Sequence, residues 1–400
     1  MPESTDPVVK RKRKVDEDVA IVKNKIDIDA SMKEATKAGK SSIGQVIDIM
    51  RLSRTTGRLQ ASEYYYYQLY DDSKYTFEEK TRFASERFGD SVIKACNDVD
   101  WHFKSVDKFK AYEYLEAQGF PVPESQAIFY EKDRDFGKLP RLADPSSMRD
   151  WLKNDAKFPF YAKPVFGIGS IGNFYVTKFV DDHVILMDGT SLALDEFYEQ
   201  VDPSHPYLIQ TVLHSHEKVT EISPRLSTVR IILYWRDGHP QVLHSLWKIT
   251  AAESIADNYW RKGNMLAHVD SETGRINRVV SGTGPWLQVH QTHPVSGQSL
   301  IGWKLPFWPE IIDMCIEGAK TFSPLRFQSW DIGLAEQGPI AVEVNSGSAM
   351  SLPQLATGKG FLTDDFLDFL SNFDYKFKRL PKRSRKSRRS SREIQELQEN

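Results

Sequence analysis

Two strongly apolar segments in the C-terminal half of the chain, residues 327–335 and 339–344, are separated by a short turn that ends at Gly338. This pattern predicts the two strands of a β-hairpin. Pairing the strands about Gln337 sets Asp331 opposite Glu343, and Asn345 shares a face with Glu343 because side chains alternate along a strand. The chain must therefore fold around a sheet that brings two carboxylates together.

The paired acids of this hairpin indicate a bound cation. Carboxylates that face each other on a sheet repel, so acids placed within otherwise apolar strands need a compensating positive charge. The oxygen ligands of Asp331, Glu343 and Asn345 suit Mg²⁺, including Mg²⁺ that also holds nucleotide phosphates. The alternative is an edge hairpin with solvated acids. The opposite, buried face is expected to hold four aliphatic residues, Ile332, Leu334, Val342 and Val344.

A second constellation is the glycine-rich string at residues 167–172, which contains Gly167, Gly169, Ser170 and Gly172 and follows Lys163. The spacing G-x-G-x-x-G is typical of dinucleotide-binding domains, but that motif requires a helix after the glycines. The residues that follow are typical of a strand, so we predict strand, glycine loop, strand. Such a loop can lay its backbone N–H groups over phosphates, with Lys163 neutralising charge. A purely structural hairpin is the alternative.

The third constellation is a pair of cations, Arg230 and Lys248, within apolar segments that read as strands. An unpaired buried charge is costly, so each cation needs an anionic partner. That partner is either a protein carboxylate or a substrate phosphate.

The remaining pattern predicts an α+β protein. Residues 41–99 are helical in character, and Ile43, Val46, Ile47 and Met50 recur at the spacing of an amphipathic helix. Further helices are predicted from Val106 to Gly119, over 146–154 and over 309–322. Strands are predicted over 126–130, 160–165, 173–179, 183–187 and 207–213, and a hairpin over 226–250.

Composition excludes several classes of protein. The 400 residues carry a formal charge of −2, but residues 376–400 hold ten Lys or Arg against three Glu, so a basic tail follows an acidic body. No segment is continuously apolar over about 18 residues, as a transmembrane helix requires. The N-terminal sequence lacks the apolar core of a signal peptide, so a cytoplasmic protein is expected. The two cysteines, Cys96 and Cys315, are expected in the core, since two are too few for a disulfide framework.

Together, these motifs resemble the ATP-grasp superfamily, and more narrowly its sugar-transfer-associated group related to α-L-glutamate ligases. The resemblance runs from about Ser41 to Asp374 and rests on the order of its motifs. Asp107-Lys108 opens a helix that ends in Gly-Phe-Pro-Val-Pro, the Lys-Pro-glycine loop follows, then the apolar segment 209–213, and finally Asp331 and the Glu-x-Asn motif. The helical N-terminal region departs from the small α/β domain of many such ligases.

The resemblance implies an ATP-grasp fold, in which two α+β subdomains clamp ATP, preceded by a helical N-terminal region. The implied organisation is a charged arm (1–40), a helical region (41–105), subdomain A with the glycine loop (106–209), subdomain B with the metal site (210–375) and a basic tail (376–400). It assigns Lys108 and Lys163 to phosphates, Glu217 to the ribose, and Lys248 and Arg230 to phosphoryl transfer. The resemblance implies that the adenine ring contacts the hinge residues Gln210, Thr211, Val212 and Leu213. Asp331, Glu343 and Asn345 would hold two Mg²⁺ ions, with Mn²⁺ as a substitute.

The implied reaction is ATP-dependent joining of a carboxylate to an amine through an acyl phosphate, with release of ADP and phosphate. The substrates would be a small or peptide-like carboxylate and an amine, and relatives suggest a homodimer. Two alternatives stay open. One is a phosphotransferase with a hydroxyl acceptor, and the other is a non-catalytic protein whose basic tail binds nucleic acid or membrane.

Overall fold

The computed structural model describes residues 26–167 and 169–373. It contains two seven-stranded sheets preceded by a series of helices. This arrangement confirms the predicted α+β class and the helical region ahead of the two sheets. The basic tail at 376–400 and residues 1–25 of the charged arm lie outside the described residues, and the domain boundaries stay predictions. None of the described helices is long and apolar enough to cross a bilayer.

The first sheet is built from residues 125–211 and has the order β2-β1-β7-β3-β4-β5-β6. Only β1 and β2 pair in parallel; the other neighbours are antiparallel. Its strands are β1 (Ser125–Phe129), β2 (Arg141–Leu142), β3 (Phe160–Pro164), β4 (Phe174–Val180), β5 (His183–Leu186), β6 (Ser191–Ala193) and β7 (Tyr207–Thr211).

The second sheet follows in the chain, is fully antiparallel and has the order β12-β11-β10-β9-β8-β13-β14. The predicted hairpin over 226–250 is β8 and β9, which turn at Asp237 and Gly238. The strands β10, β11 and β12 of this sheet have no counterpart among the sequence-based predictions. The strands of this sheet are β8 (Thr228–Arg236), β9 (His239–Ile249), β10 (Met265–Val269), β11 (Ile276–Ser281), β12 (Gln288–His290), β13 (Phe327–Ala335) and β14 (Gly338–Asn345).

Thirteen α-helices are described, the first seven of them ahead of the sheets. Most begin at a side-chain cap, as Ser41, Ser85 and Asp107 illustrate. They are α1 (Ile28–Lys37), α2 (Ser42–Leu52), α3 (Ala61–Tyr66), α4 (Phe77–Lys80), α5 (Glu86–Cys96), α6 (Val99–Val106), α7 (Lys108–Ala117), α8 (Pro145–Asn154), α9 (Leu194–Val201), α10 (Glu217–Thr220), α11 (Trp308–Thr321), α12 (Ser351–Thr357) and α13 (Asp364–Ser371).

Each face of the second sheet has its own apolar core. Trp247 and Trp330 are buried with α7 and α11 on one face, whereas Leu246 and Phe327 pack with the N-terminal helices, α12 and α13 on the other. A third core lies between the first sheet and helices α8 and α9. Both cysteines are free and buried, as the sequence predicted.

The helix expected from the spacing of Ile43, Val46, Ile47 and Met50 forms as α2, but its apolar stripe does not enter a core. Ile43 is 75% exposed, and the other three members of the stripe are about half exposed. The side of α2 that faces the protein carries Gln45, Asp48 and Leu52. Helix α2 therefore buries two polar residues and Leu52, while its apolar stripe faces the solvent.

Candidate active site

A cleft of about 430 Å³ lies between the two sheets. One wall comes from β3, the glycine loop and β7, and the other from β8, β9, β13 and β14. Five cationic side chains and three carboxylates line it among the described residues. They are Lys108, Lys163, Arg225, Arg230 and Lys248, and Asp257, Asp331 and Glu343. The excess of buried positive charge suits a polyanionic ligand.

The hairpin of β13 and β14 places Asp331 directly opposite Glu343, as predicted. The turn holds two residues, so the strands pair about a point between Glu336 and Gln337 and not about Gln337 itself. A bulge at Val342 shifts the register by one residue and thereby restores the predicted pairing of Asp331 with Glu343. The bulge also contradicts the prediction for Val342, which lines the cleft, whereas Ile332, Leu334 and Val344 are buried as expected. One extra residue in a strand re-aims the side chains that follow.

Asp331 is held by the two cations that the sequence singled out. Arg230 pairs with it across the strands, donating from Nε and Nη2 to the two carboxylate oxygens at 2.8 and 2.7 Å. The Nζ of Lys248 lies 3.2 Å from Oδ2. Although burial favours the neutral acid, Arg230 and Lys248 hold the pKa of Asp331 well below its usual range. Of the two partners left open for these cations, the structure shows the protein carboxylate.

Glu343 and Lys108 connect the two walls of the cleft. Lys108 begins α7, and its Nζ lies 3.1 Å from Oε1 of Glu343 while donating to the Gly167 carbonyl at 2.6 Å. One lysine therefore joins the glycine loop to the carboxylate of β14.

Lys163 is buried and reaches the second sheet through a tyrosine. Its Nζ donates to the Tyr112 hydroxyl at 2.8 Å, and that hydroxyl donates to the Val342 carbonyl. Burial lowers the pKa of Lys163 to about 8, against the opposing effect of Glu343, Asp257 and Asp331. Tyr112 was not predicted from the sequence because its position on α7 fits an ordinary apolar residue.

The glycine loop connects β3 to β4, which confirms the predicted strand, loop and strand and excludes the dinucleotide-binding motif. Gly169, Ser170 and Gly172 all have positive φ angles near 60–73°, and a Cβ on Gly172 would lie 2.9 Å from the Tyr207 hydroxyl oxygen. Gly167, Gly169 and Ser170 line the cleft. The Asn258 amide donates to the Gly169 carbonyl at 2.6 Å from the opposite wall.

The hinge residues Gln210, Thr211, Val212 and Leu213 also line the cleft. Gln210 is buried and donates weakly to the Pro123 carbonyl at 3.3 Å. Glu217 lies elsewhere, exposed in the first turn of α10 and outside the cleft lining. Its predicted contact with a ribose stays a prediction.

The hairpin residues fit the Mg²⁺ expected from the sequence. The buried side-chain amide nitrogen of Asn345 has no hydrogen-bond partner among the described residues, although the side chain lies beside the two acids of the cleft. A buried donor of this kind is normally satisfied, so an acceptor such as a phosphate oxygen would complete it, while the amide oxygen of Asn345 is the atom that could bind a cation. Two carboxylates and one amide supply the oxygen chemistry that Mg²⁺ prefers. No group of three or more His, Cys, Asp or Glu side chains is placed to hold a metal within residues 26–167 and 169–373.

Asp257 is a cleft residue whose place in the site the sequence did not indicate. It accepts hydrogen bonds from the backbone and hydroxyl of Thr228, and it lies 3.3 Å from the Nζ of Lys248. Lys248 thus sits between two carboxylates, Asp257 and Asp331. Asp257-Asn258 is one of the strings that carry the resemblance, but the segment is a loop without periodicity, so no contact of Asp257 could be predicted.

A model of the sugar-transfer-associated ATP-grasp family matches residues 88–366, which cover both sheets and the cleft. The chain belongs to the sugar-transfer-associated ATP-grasp family. The resemblance stated from the sequence is therefore confirmed, and the two sheets are the two halves of the ATP-grasp fold.

The solved structures to which this ATP-grasp protein is similar are distant from it. An L-amino acid ligase from Bacillus licheniformis is 12% identical (TM-score 0.36), with 65% of this chain and 46% of that chain covered. A D-alanine-D-alanine ligase from Helicobacter pylori is 12% identical (TM-score 0.39), with 70% and 63% covered. The chain thus spans about half of the length of the first protein and less than two thirds of the length of the second. No curated protein matches it.

Proposed function

We propose that this ATP-grasp protein is an ATP-dependent carboxylate–amine ligase that works through an acyl phosphate. The carboxylate of one substrate would attack the γ-phosphorus of ATP and release ADP. The amine of the second substrate would then attack the acyl phosphate, forming the amide and releasing phosphate and a proton. The proposal rests mainly on one observation, the cross-strand row of Arg230, Asp331 and Glu343 that faces Lys108 and Lys163.

The cations of the cleft would supply the electrostatic part of the reaction. Phosphoryl transfer depends largely on positioning and on stabilising charge spread over the transferred group. We assign Lys108 and Lys163 to the phosphates of bound ATP, and Arg230 and Lys248 to the transferred phosphoryl group. The backbone of the loop at Gly167, Gly169, Ser170 and Gly172 would cover the phosphates and exclude water that hydrolyses an acyl phosphate.

Asp331, Glu343 and Asn345 would hold Mg²⁺, which in this chemistry neutralises phosphate charge and orients the oxygens of the transferred group. In the described structure Asp331 is paired with Arg230 and Lys248, and Glu343 with Lys108. These partners hold both carboxylates in place in the cleft. The hinge segment from Gln210 to Leu213 would contact the adenine ring.

The experiment that tests the proposal is calorimetric titration of ATP with and without Mg²⁺, using the wild type and Glu343→Gln. We expect Mg²⁺-dependent binding that the variant loses, because the amide removes one anionic oxygen ligand. Glu317→Gln, an exposed acid on α11, is the matched control. A well-folded wild type that binds no ATP would overturn the proposal.

Acid and amine pairs are then screened for release of ADP, and the products are identified by mass spectrometry. An amide product supports the ligase. A stable phosphorylated product, formed without an amine, would instead establish the phosphotransferase alternative.

A further inference from the structure

The apolar stripe of α2 is a feature of the described chain that the proposed reaction does not explain. Ile43 is 75% exposed, Val46 52%, Ile47 46% and Met50 47%. Their spacing of three and four residues sets all four on one side of the helix. Single exposed apolar residues are ordinary on protein surfaces, but a contiguous apolar face usually marks an interaction site.

The buried side of α2 carries Leu52 and two hydrogen-bonded polar residues, Gln45 and Asp48, whose bonds fix the orientation of the helix. The Gln45 amide donates to the Lys40 carbonyl at 2.9 Å and accepts from the Tyr65 hydroxyl at 2.9 Å. The Asp48 carboxylate lies 2.7 Å from the Nζ of Lys40 and 3.5 Å from that of the buried Lys80. Rotating the apolar stripe inward would break these bonds and leave the buried Lys80 without Asp48, and an unpaired buried charge is costly. The outward stripe is therefore a built feature of the fold.

Exposed charge on the chain segment that carries the stripe is positive. Between Ser41 and Leu59 the only acid is Asp48, which is buried, while Arg51 and Arg54 are exposed. Arg51 stacks on the Phe77 ring at 3.6 Å, and Arg54 donates to the Met50 carbonyl at 2.9 Å. Both guanidinium groups are thus held at the C-terminal end of the apolar face.

We propose that α2 binds the surface of an anionic membrane. Its apolar side chains would enter the boundary between headgroups and acyl chains, and Arg51 and Arg54 would contact lipid phosphates, as amphipathic interfacial helices do. Basic segments flank the described chain, at residues 10–14 and 376–392, and the chain reaches them from Ile26 and Phe373. Ile26 and Phe373 both pack against the same apolar core as the N-terminal helices. Each nearby cation adds about 1 kcal/mol of attraction to an anionic surface.

A second copy of the chain is a less suitable occupant. The stripe consists of four side chains on an 11-residue helix and offers only a few hundred Å² of apolar surface, whereas a stable interface buries about 800 Å² per partner. Arginines at the rim of a self-paired helix would also lack anionic partners on that helix.

The test is flotation of the full chain with vesicles. One set contains phosphatidylcholine with about one third phosphatidylserine, and the other phosphatidylcholine alone. We expect the wild type to float with the anionic vesicles, and Ile43→Glu/Ile47→Glu to bind them at least about tenfold more weakly. Val295→Glu is the matched control, since Val295 is 89% exposed and lies outside the N-terminal helices. All three proteins should unfold at similar temperatures.

A chain that lacks residues 376–400 separates the helix from the basic tail. We expect this shortened chain to retain flotation that Ile43→Glu/Ile47→Glu removes. Equal flotation of the wild type and the double variant would overturn the proposal, as would flotation that depends only on the tail. The proposal would also be overturned if the wild type did not float and formed a dimer in sedimentation velocity that the Ile43→Glu/Ile47→Glu variant did not form. That result would favour a second copy of the chain as the occupant.

Discussion

The guanidinium of Arg230 and the carboxylate of Asp331 form a two-point hydrogen-bonded ion pair across neighbouring strands of the second sheet, with N···O distances of 2.8 and 2.7 Å. Both side chains line the cleft, and Asp331 is buried. The pair resolves an electrostatic conflict in the sequence, because Asp331 also faces Glu343 on the other neighbouring strand. Because Asp331 has a second cationic partner in Lys248, removing Asp331 and removing Arg230 should lower the free energy of unfolding by different amounts.

Asp331→Ala should destabilise the protein more than Arg230→Ala. Removing Asp331 leaves Arg230, whose side chain is only 15% exposed, without its partner, and loss of one partner of a buried ion pair costs about 3–5 kcal/mol. Removing Arg230 leaves Asp331 paired with Lys248 at 3.2 Å, so the loss is smaller. The measurement is the free energy of unfolding from urea titrations. The control is Glu317→Ala, which breaks the exposed ion pair with Lys320 and should change stability by less than about 1 kcal/mol. Equal losses for the two cleft variants would contradict this prediction.

ATP affinity should fall as the pH rises above 8. Burial lowers the pKa of Lys163 to about 8, so the free protein loses this positive charge above that pH and must regain the proton to bind phosphate. The loss approaches about tenfold in affinity for each pH unit. Calorimetry at pH 7, 8 and 9 measures it. Lys163→Arg, which keeps its charge throughout, should show a flatter profile, and a profile as steep as that of the wild type would exclude Lys163 as the cause.

Tyr112→Phe should weaken ATP binding as well as stability. The hydroxyl connects the Lys163 Nζ to the Val342 carbonyl, and its loss leaves a buried lysine without that acceptor, at a cost of about 1–3 kcal/mol. Tyr114→Phe on the same helix is the matched control, because the Tyr114 hydroxyl donates to the Thr321 carbonyl outside the cleft lining. Thermal unfolding and ATP titration are measured for both. Similar ATP affinities for the two variants would argue against a role for Tyr112 in positioning Lys163.

Gly318→Ala should destabilise the protein although alanine is the better helix former. In an exposed helix the change would stabilise by up to about 1 kcal/mol. Within α11, however, the added Cβ would lie 2.3 Å from the buried Trp330 ring, and overpacking of this kind costs about 1–3 kcal/mol. A double-mutant cycle with Trp330→Phe tests the cause, since the smaller ring should recover part of the loss. No recovery would place the strain elsewhere.

Much of the fold could be predicted from local pattern. The spacing of apolar residues places β13 at residues 327–335, and the structure has the strand at Phe327–Ala335. Pairing the strands about Gln337 also predicts that Asp331 faces Glu343, and this holds because the bulge at Val342 offsets the two-residue turn. The pattern does not reveal the bulge at Val342, since a bulge depends on how two strands pair.

The sequence by itself determined the helical character of residues 41–119, the helices near 146–154 and 309–322, most of the strands, the glycine loop and the acids of the hairpin, because these depend on neighbours a few residues away. Tertiary structure alone decided which side chains meet. Lys163 meets Tyr112 and Lys248 meets Asp257 only after the sheets have packed. Helix α2 shows the same division. Its spacing predicts a helix, but Tyr65 and Lys80, distant in the chain, bind its polar side and leave its apolar side to solvent. The spacing of apolar residues shows that a helix has an apolar face, but the residues that pack against the helix in the fold decide which face is buried.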